Sequence, residues 1–275
     1  MSAPLPPPAN MQVPAPGGPD EALALQLPAP HGPWHRRLEV AAVTVTLGLS
    51  LYQGARIAIA AGALAELDGW VWAWLGAAVL AGVLAADFAS GLIHWTFDRY
   101  GNAHTPFLGP SFISPFRIHH VDPEDITRHG FVETNGNTSL LAAPGLAIAV
   151  LLPIETPSAL FTHAAVLMTG LFVVGTNQIH KWSHQERPAA PVALLQRLGL
   201  LLGRAHHQVH HTFPYEKNYC ITTGWLNPPL MAIDFWARME RALARLGAVA
   251  HRDAAPVERP GLLLRGLTGS SPAPR

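Results

Sequence analysis

Four apolar stretches stand out along the chain: Leu38 to Leu64, Trp70 to Ile93, Ser139 to Pro153, and Ser158 to Gln178. The second and fourth reach the ~20 residues that cross ~30 Å of hydrocarbon as a helix. The first reaches that length only by carrying Arg56, and the third is short, so both are open to tilted, re-entrant or distorted forms. Between the third and fourth, Pro153-Ile-Glu-Thr-Pro157 is a turn signal that predicts a helical hairpin. The expected fold is all-α, an integral membrane bundle of about four transmembrane helices.

The flanks differ. Residues 1–33 hold 10 of the 26 prolines and no Lys or Arg, which speaks against a packed helix and leaves no basic flank for a signal peptide. Residues 246–275, with Pro256, Pro260, Pro272 and Pro274 among glycines and serines, have the same character. The chain therefore divides into a disordered tail over 1–36, a membrane domain over 37–245 and a disordered tail over 246–275.

Charge checks the topology independently, because Lys and Arg are retained in short cytoplasmic loops. With all four stretches spanning, the far-side loops are residues 65–69 and 154–157, which carry Glu66, Asp68 and Glu155 and no basic residue. Of the 18 Lys and Arg, 17 then fall on one side and only Arg56 does not. This makes the protein multi-pass, with both termini and a histidine-rich cap in the cytoplasm, and sets Trp70, Trp72 and Trp74 as an aromatic belt at the far interface.

Composition adds two exclusions. Lys plus Arg equals Asp plus Glu at 18 each, so there is no net field to draw nucleic acid, which is excluded as a partner. A single cysteine, Cys220, excludes an internal disulfide and a Cys-rich metal site, and leaves metal chemistry to histidine and carboxylates. Histidine is the outlier, with 15 in the chain.

The histidines fall in boxes. The second apolar stretch runs out through Asp87 and His94 to Asp98, which share a helical face, and His94 and Asp98 lie four apart, the spacing that lets two side chains grip one metal. The following loop carries Arg117-Ile-His119-His120 and then Arg128-His129; the fourth stretch ends in His180 and His184, again four apart. Last comes His206-His207-Gln-Val-His210-His211, in which 207, 210 and 211 would converge on one side of a helix. Any one box alone is commonly a hydrogen-bonded or solvated pair. Here two membrane helices end in ligand pairs at one face, and two further boxes follow them there.

Imidazole suits several metals, so ligand number decides more. Nine donors are too many for one zinc ion, which takes three or four. Two ions are implied. Nitrogen-rich ligation with a carboxylate at the membrane face of an apolar bundle fits iron used with O2, since an unactivated C–H bond is beyond acid-base groups and needs a cofactor. The remaining histidines read otherwise: His31, His35 and His251 lie in tails, His104 in a loop, and His163 deep in the fourth stretch. His129 and His206 are candidates to orient a ligand, and Asp87, an intramembrane carboxylate, is expected to hydrogen-bond a ligand imidazole.

The strings Ala86-Asp87-Phe-Ala-Ser-Gly-Leu-Ile-His94-Trp, Pro115-Phe-Arg-Ile-His119-His120-Val-Asp-Pro123, Thr127-Arg-His129-Gly-Phe-Val-Glu133-Thr-Asn-Gly136, Thr176-Asn-Gln-Ile-His180-Lys-Trp-Ser-His184 and Cys220-Ile-Thr-Thr-Gly-Trp-Leu-Asn227 closely resemble the plasmanylethanolamine desaturases, from about residue 80 to 245. The resemblance implies a membrane enzyme that desaturates the 1-O-alkyl chain of an ether phospholipid beside the ether oxygen, using two irons, O2 and two electrons from an external carrier, cytochrome b5-like or ferredoxin-like. Carried over, His94, His119, His120, His180, His184, His207, His210 and His211 would be the catalytic metal ligands, with Asp98 where many acyl desaturases have histidine. The head group would lie near Arg117, Arg128, Lys181 or Arg204. Rival readings are a fatty-acyl desaturase or lipid hydroxylase and, from another class, a histidine-rich membrane metal transporter or sensor. No ATP loop, dinucleotide fingerprint or nucleophile elbow is present.

Overall fold

The computed structural model describes residues 32–66, 69–106 and 108–252. The two expected tails lie largely outside these, as do His31 and Asp68. Among the described residues the chain is all-helical, without strands. Four long helices form the body: α1 (Pro33–Ala65), α2 (Val71–Arg99), α5 (Phe131–Leu151) and α6 (Pro157–His184). Two short helices, α3 (Ser114–Val121) and α4 (Asp125–Arg128), stand between α2 and α5. After α6 come α7 (Ala190–Arg197), α8 (Arg204–Gln208), α9 (Asn227–Ala232) and α10 (Phe235–Arg245).

Helices α1, α2 and α6 are long and apolar enough to cross a membrane. This is a membrane protein. Helix α5 is not among them: it has 21 residues, a polar first half and Pro144 inside. The helices also run past the apolar stretches that announce them. The apolar reading ends at Ile93 and Gln178, whereas α2 continues to Arg99 and α6 to His184. At 1.5 Å per residue, the 29 residues of α2 extend about 44 Å, longer than the hydrocarbon alone requires. The extra turns carry His94, Asp98, His180 and His184.

Helix α6 lies at the centre and packs on α1, α2 and α5, while α1 covers α5. Without hydrophobic pressure between helices in lipid, close approach and polar contacts hold such a bundle. Gly82 of α2 supplies the approach: a Cβ there would stand 2.6 Å from both the Ala165 carbonyl and Met168 Cβ of α6. Thr138 donates to the Val174 carbonyl at 3.0 Å and Asn177 to the Thr134 carbonyl at 3.0 Å, tying α5 to α6.

Arg56, the one basic residue out of place by charge, caps the end of α5. Its guanidinium donates to the carbonyls of Ala149 (3.2 Å), Val150 (2.9 Å) and Leu152 (2.6 Å). A cation there meets the carbonyls of the helix end, of which Ala149 also accepts the Leu152 amide at 3.2 Å. His163 completes this far-end cluster, its Nδ1 accepting from Gln53 at 2.5 Å and its Nε2 donating to the Pro153 carbonyl at 2.9 Å.

Candidate metal centre

The ends of α2 and α6 carry two donors each, one helical turn apart. The α3 helix delivers His119 and His120, expected in a loop but placed in the last turn of an eight-residue helix. Successive helical residues point about 100° apart, so these two face different directions. The final box also departs from the expectation of one helical face. Helix α8 stops at Gln208, and in the turn that follows the His210 and His211 amides both donate to the His207 carbonyl; His207 and His211, their Nε2 atoms 3.0 Å apart, stay together while His210 turns away from them.

The result is two donor groups. His119, His180, His184, His207 and His211 form one; His94, Asp98, His120 and His210 form the other, with the ligating atoms of each group all within 4.8 Å of one another. In the first, His180 Nε2 lies 2.8 Å from His207 Nε2 and 3.2 Å from His184 Nε2, and His207 Nε2 lies 3.0 Å from His211 Nε2. An imidazole nitrogen offers one lone pair or one hydrogen, so His180 and His207 cannot satisfy two such neighbours by hydrogen bonding. A cation can. Nitrogens ~2.1 Å from a common ion stand ~3.0 Å apart at right angles, which is the spacing found. In the second group the His120 and His210 Nε2 atoms are 3.0 Å apart, and Asp98 Oδ2 lies 3.4 Å from His94, 3.6 Å from His120 and 3.6 Å from His210. The donors of each group could hold a metal ion.

Supporting contacts set the tautomers. His94 Nδ1 donates to the Tyr219 carbonyl at 3.2 Å and His210 Nδ1 to the Lys217 carbonyl at 2.9 Å, which leaves each Nε2 lone pair directed at the second group. Burial, aided by neighbouring imidazoles, pushes His119, His207 and His211 well below the ordinary histidine value. They are neutral at physiological pH, the form that ligates. Tyr215 stacks on His120 at 4.8 Å and Phe116 packs on His94 at 5.1 Å. The Tyr219 phenol, raised above its usual range by burial and then by Asp98, lies with its ring 5.2 Å from that of His210.

Three expected orienting residues do something else. Asp87 does not hydrogen-bond an imidazole: its Oδ1 accepts from the Thr223 and Gly224 amides at 2.7 and 2.9 Å and its Oδ2 from Leu226 at 3.0 Å. It thereby pins the loop that carries the Tyr219 carbonyl. The same loop lies against Gly91, where a Cβ would meet Cys220 Sγ at 2.5 Å. His206 Nε2 pairs with Asn227 Nδ2 at 2.9 Å inside this loop. His129 lies 3.2 Å from Asp125, and its carbonyl accepts from Lys181. The tyrosine and lysine that hold His94 and His210 were invisible to sequence reasoning, because their backbones make the bonds.

Residues 83–254 match the model of the lipid desaturase domain. The chain belongs to the lipid desaturase family. All nine donors lie inside that segment, and α1 lies outside it. The chain is 49% identical over 166 residues to the plasmanylethanolamine desaturase of Myxococcus xanthus, covering 60% of this chain and 59% of that one. It is 42% identical over 200 residues to plasmanylethanolamine desaturase 1 of Mus musculus, covering 70% and 66%. A chloroplastic fatty acid desaturase 4-like protein of Arabidopsis thaliana is 32% identical over 212 residues, covering 76% and 68%. The aligned part thus spans roughly three fifths to two thirds of the length of the first two relatives. No solved structure matches the chain.

Proposed function

We propose that this lipid desaturase is a plasmanylethanolamine desaturase, which removes two hydrogens from the 1-O-alkyl chain of an ether phospholipid beside the ether oxygen and leaves the vinyl ether of a plasmalogen. The observation that supports it most is the pair of adjacent donor groups at one end of long apolar helices, taken with 49% and 42% identity to relatives of that name. Two C–H bonds break and one C=C bond forms. O2 takes two electrons from the chain and two from an external carrier, cytochrome b5-like or ferredoxin-like, and with two further protons leaves as two waters.

The five-histidine group and the group of three histidines with Asp98 would each hold one iron, which when bound supplies the oxidant that an unactivated C–H bond demands. The protein's own part is geometric. The Tyr219 and Lys217 carbonyls keep His94 and His210 in the ligating tautomer, and Asp98 brings negative charge to the second group. The ends of α2 and α6 bring the donors to the apolar body where an alkyl chain would lie. In this reading α5 is the fourth span, and the histidines and both termini face the cytoplasm, as the one-sided distribution of Lys and Arg supports.

Lipid extracts from cells with and without the gene test the reaction: an acid-labile vinyl ether that appears only with the intact gene is the expected result. A new acyl double bond or hydroxyl would replace the reading with its rival, which the 32% identity to a fatty acid desaturase 4-like protein keeps in view. Metal analysis should give about two irons per chain. Zinc, with no oxygen consumed, would favour a transporter or sensor.

A further inference from the structure

Helix α6 ends at His184 and α7 begins at Ala190, so α7 starts close to the end of a spanning helix. Seen down its axis, α7 has three faces. Val192 is buried; Ala193, Gln196 and Arg197 wall an open groove of about 840 Å³, which Arg204, His206 and Trp225 also line. The third face carries Leu194 (55% exposed), Leu195 (37%) and, at the cap position, Leu198 (62%). Residues four apart share a helical face, so these three leucines form one apolar ridge. Leu200 (44%) extends it past the helix end, and Trp225, 38% exposed, is fastened beside it by donating Nε1–H to the Gly199 carbonyl at 2.5 Å.

Such a ridge is costly to leave in water. Between Gln185 and Ala205 the chain also carries Arg187, Arg197 and Arg204 against a single acid, Glu186. Exposed leucines beside a tryptophan, with arginines on the neighbouring face, are what a helix needs to lie in the headgroup layer of a bilayer. We propose that residues 190–200 and Trp225 form an interfacial foot, with Leu194, Leu195, Leu198 and Leu200 seated among the acyl chains and the Arg197 and Arg204 groove opening onto phospholipid phosphates. This rests on the membrane reading of α1, α2 and α6. The foot would hold the cap against the lipid layer from which substrate is drawn.

Spin labels in the full chain reconstituted into phospholipid vesicles test this. The native Cys220 is buried, and burial raises its thiol well above the usual range, so it contributes little labelling. Labels at Leu194→Cys, Leu198→Cys and Leu200→Cys should be relaxed several-fold more by lipid-soluble oxygen than by a water-soluble nickel chelate, and a label at Gln196→Cys less so. Leu80→Cys in α2 is the control. If the Leu80 label reports lipid while the three foot labels report water, the foot is refuted and the membrane reading stands; a foot covered by a protein partner gives this same result in vesicles holding this chain alone. If Leu80 also reports water, the membrane reading itself falls and the foot with it. Three independent labelling sites keep the outcome readable if one variant folds poorly.

Discussion

At the residue scale, His94 and His210 are held by backbone carbonyls, so the groups that fix them cannot be removed by changing a side chain at 219 or 217. Their support can be removed at Asp87. In Asp87→Ala three amides, the Thr223 and Gly224 ones buried and the Leu226 one half-buried, lose their acceptor, and a buried unsatisfied donor costs about 1–3 kcal/mol. The loop holding the Tyr219 carbonyl loosens, and the His94 group should lose metal before the five-histidine group does. The expected outcome is a lower unfolding midpoint with iron falling towards about one per chain; full iron content at unchanged stability would refute the clamp. Ligand replacement behaves differently. His184→Ala and His211→Ala should abolish product and strip metal from the five-histidine group. His163→Ala, which takes the partner from Gln53 Nε2 and from the Pro153 carbonyl, should keep its iron and lose about 1–3 kcal/mol of stability.

At the scale of elements, the hydropathy pattern located all four long helices and the charge pattern set aside Arg56, but neither found where the helices end. The apolar runs tolerate a single Asp87 or His163 but lose their signal where polar residues become frequent, whereas a helix continues wherever its backbone bonds do, and the turns beyond the run carry the site. The ligand set was legible from spacing of four in α2 and α6. The partition into two groups was not, because it depends on His119 and His120 sharing a helix and on α8 stopping before His210. The role of Asp87 was misjudged for a related reason: its partners are amides 136 to 139 residues away, which leave no side-chain signature. Helix contacts yield their own prediction. Gly82→Leu forces a side chain into the Ala165 carbonyl and Met168, so α2 and α6 must part at a point well before both donor pairs. Overpacking of this kind costs about 1–3 kcal/mol. Purified protein should show a lower unfolding midpoint and reduced iron retention, even though Gly82 touches no donor.

At the scale of the whole molecule, a cap full of buried neutral imidazoles makes stability depend on pH with a definite sign. In the unfolded chain His119, His207 and His211 titrate near ~6.5, whereas in the fold they are held well below it. Between those values the unfolded state binds more protons than the folded one, so stability rises with pH across that window. Above ~6.5 the three groups are neutral in both states and contribute no slope. Metal-free protein should therefore lose stability as pH falls below ~6.5, at up to about 1.4 kcal/mol per pH unit for each group until its folded value is reached. Bound iron occupies the same lone pairs, so the loaded protein should resist acid further, and iron loss should accompany the drop in unfolding midpoint. Thermal unfolding of metal-free and iron-loaded protein between pH ~7.5 and ~5 tests this. A metal-free protein that gains stability on acidification would mean that the imidazoles are protonated in the fold, and so are not poised as ligands.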